Sequence, residues 1–410
     1  MSLSFRKTVL PALLVLAAIP ASAAEWSAQP SVVSEVYYDS NIVMGSGTRV
    51  EEVEGLRLTP RLNLRGRSAI WQTNLNISLP FNRLSNDLYD SDDQIVGLDY
   101  TRNGERQAWG LSGELRRQST RTAVAELGFV AAATRTENRS LRPYWTWIAN
   151  ENNSLQVGGN WLEAEYSSPR FSDYEQYSFD VTWIRVLGER LTLQSAVYSS
   201  SFDLIDPRQT DSDTVGDADS TGLSITLLRQ FDEKLSGSIG FGARRTETLA
   251  ARFLPADQQS IFCLLFGFGC LQELFTDESD GFTGSAQLGY EGDTWQVSLA
   301  ASRSLTPDAF AQELVETDQI EATYSRQLRE KLFFDMSLEY VSSESLGDSA
   351  FSREYWYATP ALRWRFAERW TFSTTLRHRI REATFGFSGV DTDSTAIFFR
   401  VHYTHPRASW

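Results

Sequence analysis

Residues 332–340, Leu332-Phe333-Phe334-Asp335-Met336-Ser337-Leu338-Glu339-Tyr340, alternate between two chemistries. Apolar or aromatic residues hold the even positions, and Asp335, Ser337 and Glu339 hold odd ones. Successive side chains of a β-strand point to opposite faces, so a period of two predicts a strand with one apolar and one polar face. The same period recurs at 355–365 and 397–403 and dominates the chain from residue 30 onward.

Short polar turns and longer polar stretches separate these predicted strands. Eight short turns are predicted, at 65–69, 101–106, 149–153, 187–190, 231–234, 290–294, 328–331 and 366–369. Longer stretches rich in Asp, Ser, Gly and Asn are predicted to be loops, at 84–93, 202–218, 247–280, 305–312, 343–354 and 383–393. The eight hairpins give 16 strands, and the segments 31–43 and 394–404 raise the number to 18.

This layout predicts an all-β protein, a transmembrane antiparallel up-and-down β-barrel of about 18 strands, with 16 as the alternative. Short periplasmic turns would alternate with long extracellular loops, and the barrel would lie in the bacterial outer membrane. Closure follows from physics, because hydrocarbon offers no partner to an unpaired backbone group and a spanning sheet must therefore have no edges. A secreted β-sandwich or propeller is the alternative, but sandwich strands are usually shorter and would not keep long loops on one side only.

The N-terminus predicts a secretory signal peptide over residues 1–24. Arg6 and Lys7 precede an apolar run over 9–19, followed by Pro20 and the small residues 21–23. That run is too short for a membrane anchor, and no apolar stretch of about 18 residues follows it, which excludes a helical membrane protein. Residues 25–410 then form a single barrel domain. A net charge of -15 excludes a surface made for nucleic acid.

Assigning the apolar parity to lipid places the other parity in the lumen. Strands near the two chain ends then share an arginine-rich wall, formed by Arg57, Arg61, Arg65, Arg363, Arg365, Arg377, Arg379, Arg381 and Arg400. Glu35, Tyr37 and Asp39 of the first strand lie in its midst, and Tyr355 and Tyr357 also point inward to stack on sugar faces. One interpretation is a basic ladder that guides an anionic or hydroxyl-rich solute, since arginine presents a planar fork to carboxylate and sulfate. The other is that these arginines pair with lumenal acids and fill space.

The long loops carry two further features. Asp87, Asp90, Asp92 and Asp93 cluster in one loop, and several more aspartates lie in 202–218. Because the spacing of a calcium-binding loop is missing, solvated acidic loops are expected rather than a metal site.

Cys263 and Cys270 flank an apolar patch within 247–280. We expect a disulfide that pins this loop into the mouth or lumen, with an exposed loop that meets a partner or lipid as the alternative. Inward loops, with 121–138 and 247–280 as candidates, are expected to narrow the lumen.

Catalytic signals are poor. Three histidines occur, and His402 faces inward beside Arg400, but no nucleophile elbow accompanies it. An outer-membrane hydrolase is a remote alternative, and we expect no enzyme activity and no cofactor.

Several short motifs resemble the β-barrel porins of the second type, outer-membrane barrels associated with exopolysaccharide biosynthesis and export operons. The opening Tyr37-Tyr38-Asp39-Ser40-Asn41 resembles that family's Y-D-x-N pattern, and 187–191 resembles its L-x-E-R-L turn, echoed at 366–370. Residues 116–120, 126–128 and 139–145 are similar to its central pattern, and the likeness runs through most of the mature chain. The chain departs from the family in its cysteine loop, and Trp410 is out of phase with Tyr403.

The resemblance implies a large barrel without a catalytic site that lets polysaccharide cross the outer membrane beside a periplasmic co-polymerase or export protein. The hypothesis is therefore a porin-like conduit for polysaccharide or for anionic, hydroxyl-rich saccharides. A structural or adhesive barrel that acts through its acidic loops is the alternative. Expected partners are outer-membrane lipid and lipopolysaccharide, saccharide cargo and the periplasmic export protein, with no nucleic acid.

Overall fold

The alternating segments form strands in the computed structural model, which describes residues 24–45, 50–120, 134–168, 171–205, 214–253, 272–308, 313–346, 351–385 and 388–410. The strands in these ranges are β1 (Glu25–Asp39), β2 (Val53–Arg67), β3 (Trp71–Ser78), β4 (Phe81–Leu84), β5 (Ser91–Asp92), β6 (Gln94–Asn103), β7 (Gln107–Ser119), β8 (Arg135–Asn150), β9 (Asn153–Tyr166), β10 (Asp173–Gly188), β11 (Leu191–Ile205), β12 (Thr214–Gln230), β13 (Leu235–Phe253), β14 (Gln272–Glu291), β15 (Trp295–Asp308), β16 (Glu313–Arg329), β17 (Leu332–Ser345), β18 (Phe351–Ala367), β19 (Trp370–Phe385), β20 (Ser388–Thr404) and β21 (Ala408–Ser409). A 3-10 turn over Asp87–Tyr89 joins β4 to β5. None of the helical segments described has the length and apolarity to cross a membrane.

Every long strand pairs antiparallel with its neighbours in the chain, and the sheet closes because β1 pairs with both β2 and β20. Near Pro80 one strand is broken into β3 and β4, which both pair with β2, because proline has no N–H to donate to the ladder. The short β5 likewise continues β6, and β21 adds to β1 beyond the end of β20. With β3 and β4 counted as one strand, and β5 and β6 as another, the closed barrel has 18 strands, which confirms the predicted fold class.

All eight short turns form where the sequence predicts them. The predicted long loops are shorter than expected, because the strands continue into them. Residues 305–308 belong to β15, 343–345 to β17 and 383–385 to β19, while β13 and β14 take both flanks of 247–280. These extensions carry many Asp, Glu, Ser and Thr residues, so their sequence resembles a loop. Residues 1–23, 121–133 and 254–271 lie outside the described ranges, so the signal peptide, most of one constricting loop and the cysteine pair remain predictions.

The outer surface of the barrel is apolar and carries aromatic girdles. Near the short turns, exposed aromatics include Trp109, Trp147, Trp183, Trp364 and Trp370. Trp356, eight residues from Trp364 on the same face of β18, is also exposed, and about 3.3 Å per residue at a tilt of about 40° gives about 20 Å between them along the barrel axis. An apolar band between two aromatic girdles is what an outer-membrane barrel presents to lipid. The chain therefore has the architecture of an outer-membrane β-barrel.

The C-terminus rejoins the wall after a bulge. Ser31 pairs with Thr404, whereas Ser27 pairs with Ser409, so residues 405–407 shift the register by one residue. The backbone of Trp410 exchanges two hydrogen bonds of 3.0 Å with Trp26. The shift returns Trp410 to the outward face that Tyr403 occupies, because one extra residue inverts the parity of a strand. The phase difference seen in the sequence is therefore absorbed by the bulge.

Candidate functional site: the arginine wall of the lumen

Five consecutive strands of the ring, β18, β19, β20, β1 and β2, carry all nine predicted arginines. Val32, Val36 and Tyr38 of β1 are exposed on its outer face, whereas Glu35 and Asp39 are 1% exposed on the other. The outward parity of the neighbouring strands is likewise apolar, with Leu56, Leu362, Leu376 and Phe399 among its exposed residues. The polar parity of this arc therefore faces the lumen.

Asp39 is the acceptor at the centre of the wall near the long-loop end. Its carboxylate accepts hydrogen bonds from Arg379 Nη2 at 2.9 Å, from Arg377 Nη2 at 3.2 Å and from Ser394 Oγ at 2.6 Å. Arg379 and Ser394 are themselves buried, at 3% and 0% exposed. The single carboxylate holds two guanidinium groups, so the cluster is fixed by hydrogen bonds and keeps one net positive charge.

Glu35 organises the next layer of the wall. Arg57 Nη1 lies 3.2 Å from its carboxylate, and Arg400 Nε donates to it at 2.8 Å. Tyr37 stacks on Phe398 with ring centroids 5.3 Å apart, and the Arg57 guanidinium lies 5.5 Å from the Tyr37 ring. Glu35 and Tyr37 therefore lie among the arginines, where the sequence places them.

The segment after β1 folds back onto this wall. The side chain of Asn41 donates to Gly45 O at 2.9 Å and to Asp393 O at 3.0 Å, and the Gly45 N–H donates to Asn41 Oδ1 at 2.9 Å. Met44 has a φ of 50° and is 1% exposed, and its carbonyl accepts from Arg381 Nη2 at 2.7 Å. Left-handed backbone is uncommon outside glycine, so this conformation is held by its surroundings.

An apolar cluster continues the inward fold. Its members share low exposure and lumenal position, and they are Tyr37, Ile42, Val53, Leu84, Tyr89, Ala396 and Phe398. Segment 40–45 and the region around the 3-10 turn therefore narrow the long-loop end of the lumen. The constrictions predicted from the sequence are 121–138 and 247–280. The contacts that hold segment 40–45 join residues more than 330 positions apart, so no local pattern reveals them.

The remaining arginines divide into paired and unpaired groups. Arg363 contacts Asp335 at 3.2 Å. Arg61, Arg65 and Arg365 have no carboxylate within 4.0 Å among the described residues, and all lie in the half of the wall nearer the short turns. In the upper half, Glu35 and Asp39 each hold two arginines and Arg381 donates to the Met44 carbonyl, whereas the three arginines nearer the short turns have no carboxylate partner among the described residues.

Tyr355 and Tyr357 stack on each other inside the wall, with ring centroids 5.9 Å apart and an interplanar angle of 22°. Tyr355 is 2% exposed, so its ring is not available to a passing sugar, whereas Tyr357 is half-buried. Arg353 lies 5.5 Å from the Tyr355 ring and 2.7 Å from Asp308 of β15. The predicted stacking role is therefore open to Tyr357 alone.

Several members of this site were not predicted. Asn82, Asp335, Ser394 and Phe398 are all lumenal, but each meets its arginine or tyrosine partner only through pairing of distant segments. In the sequence, Asn41 stands out only as part of the family motif 37–41. In the structure, its side chain holds the folded-back segment through hydrogen bonds to Gly45 and Asp393.

Other candidate chemistry finds little support. His402 contacts Thr404 at 3.4 Å, and within the described residues it has no carboxylate partner. The described part of the chain also holds no group of three or more metal-ligating His, Cys, Asp or Glu side chains.

Comparison with known proteins finds similarity among solved structures alone. No model of a protein family matches the chain, and no curated protein matches it. Among solved structures, the outer membrane channel DcaP of Acinetobacter baumannii is 12% identical with a TM-score of 0.48, over 94% of this chain and 98% of that one. OpdQ of Pseudomonas aeruginosa is 8% identical with a TM-score of 0.47, over 93% and 98% of the two chains. OpdK of the same organism, solved with vanillate, is 10% identical with a TM-score of 0.44, over 93% and 99%. These likenesses concern the fold alone.

Proposed function

We propose that the protein is a conduit for anionic, hydroxyl-rich solutes, with acidic polysaccharide as its cargo. The observation that carries the proposal is a group of three lumenal arginines, Arg61, Arg65 and Arg365, that have no carboxylate within 4.0 Å among the described residues. Arg65 also opens onto a polar cavity near the short turns that is lined by Gln72, Asn74, Asp99 and Thr101. Arginine binds carboxylate and sulfate through a planar fork, and hydroxyl and amide groups bind sugar hydroxyls.

Charge arrangement sets how such a solute would move. Asp39 and Glu35 each hold two arginines of the upper wall, so these side chains are fixed in place and part of their charge is offset. The unpaired arginines below supply a positive potential in a polar channel, and rings of one charge sign set pore selectivity. Weak contacts at several sites let a polymer enter without being trapped.

Export in the company of a periplasmic co-polymerase is the finer part of the proposal. It is supported by the resemblance of 37–41 and 187–191 to barrels of exopolysaccharide operons. A structural or adhesive barrel makes the opposite prediction, since its function would not depend on lumenal arginines.

Single-channel recording in planar bilayers tests the conduit. The triple variant Arg61→Gln, Arg65→Gln, Arg365→Gln is expected to lose anion preference, read as the reversal potential in a salt gradient, and to lose block by oligouronate. The control Arg106→Gln, Arg190→Gln, Arg369→Gln removes the same charge from short turns and is expected to keep both properties. Equal behaviour of the two triples would contradict the proposal. A neutral oligoglucan of equal length measures block by size alone.

A further inference from the structure

The barrel wall is interrupted between β14 and β15. The ladder of β13 and β14 runs from Leu235–Tyr290 to Phe253–Gln272, but β14 and β15 pair only over 284–291 and 296–303. Beyond that point, within the described residues, 272–283 of β14 pair with β13 alone and 304–308 of β15 pair with β16 alone. Free edges are rare in a barrel wall, because their backbone groups lack ladder partners.

Leu305 near the end of β15 and Leu314 near the start of β16 lie inside the mouth. Phe202, Leu204 and Ala218 belong to the lumenal parity of β11 and β12, since Val197 and Leu223 are exposed on the outer face. They form one buried cluster with Leu314 of β16, and Leu305 of β15 packs against it.

Leu305 and Leu314 belong to the outward parity of their own strands, as the exposed Leu299 and Ile320 show. The outer face of β15–β16 therefore lies against the inner face of β11–β12. The barrel wall therefore overlaps itself at this point: β13 and β14 lie on the outside, and the ends of β15 and β16 lie on the lumenal side.

Ion pairs hold the overlap. Arg244 of β13 faces the lumen with its side chain 2% exposed, and its Nη2 lies 3.3 Å from Glu316 of β16. Arg303 Nε donates to Asp318 at 2.6 Å and lies 4.0 Å from Glu316. Gly281, opposite Arg244, leaves the space for this crossing, because a Cβ there would lie 2.7 Å from the guanidinium carbon.

Apolar surface lies on both sides of the break. Outside, Phe241 and Phe282 are 66% and 56% exposed on the lipid-facing parity. Inside, the overlap is lined by Phe202, Leu305 and Leu314, although the lumen of such a barrel is ordinarily polar. A hydrocarbon chain is the ligand that matches these surfaces, and Arg303, whose guanidinium lies 4.6 Å from the Phe282 ring, matches an anionic headgroup.

We propose that the break between β14 and β15 is a lateral portal for an anionic amphiphile. The portal connects the barrel mouth with the membrane leaflet at the long-loop end. The ends of β15 and β16 form its gate, and the Arg244–Glu316 ion pair holds the gate closed. This route and solute class are additional to the axial passage of hydrophilic saccharides.

Photolabelling tests the portal in the full-length protein in phospholipid vesicles, with Cys263→Ser and Cys270→Ser as the background. The probe is palmitic acid with a terminal diazirine, and adducts are mapped by mass spectrometry. Adducts on Leu204 and Leu305 are expected besides those on the lipid-facing Phe241. Butyric acid with the same diazirine is expected to leave the two leucines unlabelled.

A chemical lock separates lateral entry from entry by way of the lumen. A short bismaleimide that bridges Phe202→Cys and Leu314→Cys holds the gate closed. Palmitate labelling of Leu204 and Leu305 is then expected to fall to the level seen with the butyric acid probe. The matched pair Ser200→Cys and Ser220→Cys, which face each other on β11 and β12, is bridged in the same way and is expected to keep the labelling.

A second variant guards against misfolding of the bridged pair. Arg244→Gln removes the ion pair with Glu316 without a cross-link and is expected to raise labelling of Leu204 above the wild-type level. Palmitate adducts confined to outward residues, labelling equal to that by butyrate, or labelling unchanged by both the bridge and Arg244→Gln would overturn the portal. Anion preference of the bridged protein, recorded in parallel, reports on the axial conduit separately.

Discussion

Arg379 and Asp39 form a 2.9 Å ion pair across β20, between β19 and β1, and their side chains are only 3% and 1% exposed. Together with the β1–β20 ladder, the pair ties the last strands of the chain to the first. Because the pair is buried, loss of one partner leaves a desolvated charge behind. The upper half of the arginine wall therefore helps to hold the first and last strands of the barrel together.

Asp39→Asn is expected to lower the free energy of unfolding by about 3–5 kcal/mol, the cost of breaking a buried ion pair. Urea unfolding in lipid vesicles, followed by tryptophan fluorescence, measures the change. Asp335→Asn breaks the half-exposed pair with Arg363 and is expected to cost less than about 1 kcal/mol. Similar losses for the two variants would show that burial does not distinguish them.

The sequence predicts the parts of this fold that depend on local pattern. Alternation along 332–340 and the eight polar turns predict strand number and parity, since both depend on neighbouring residues, and closure follows because hydrocarbon offers no partner to an open edge. The partners of Asp39 are Arg377, Arg379 and Ser394, more than 330 residues away, and their meeting was foreseen only as a shared wall. The inward end of β15–β16 was not foreseen, because Leu305 and Leu314 keep the same alternation whether their strands line the wall or leave it.

Gly55 lies beneath the ring of Tyr37, and a Cβ there would come within 2.4 Å of the ring. Gly55→Ala is expected to displace Tyr37 from Phe398 and to lower the free energy of unfolding by about 1–3 kcal/mol, the usual range for overpacking. Gly97 is the matched control, since nothing lies within 4 Å of its Cβ position. Gly97→Ala is expected to be neutral or to stabilise by about 0.5–1 kcal/mol, and a loss equal to that at Gly55 would argue against the close packing of Tyr37.

Asn41 holds the folded-back segment through hydrogen bonds to Gly45 and Asp393. Asn41→Ala is expected to release this segment, so a cysteine introduced at Met44 in the Cys263→Ser, Cys270→Ser background becomes reactive to a water-soluble maleimide. The labelling rate of Met44→Cys with and without Asn41→Ala measures the effect. Asn153→Ala removes a hydrogen bond at a short turn and is expected to leave the rate unchanged. Identical rates in all three proteins would place the stability of the segment elsewhere.

Spin labels placed singly at residues 61–65 of β2 test most directly whether the arginine wall faces water inside a closed barrel. Electron paramagnetic resonance in lipid vesicles compares collision with a water-soluble nickel chelate and with oxygen, which partitions into lipid. Labels at Arg61, Asn63 and Arg65 are predicted to collide with the chelate, and labels at Leu62 and Leu64 with oxygen. The reverse alternation, or none, would contradict the account.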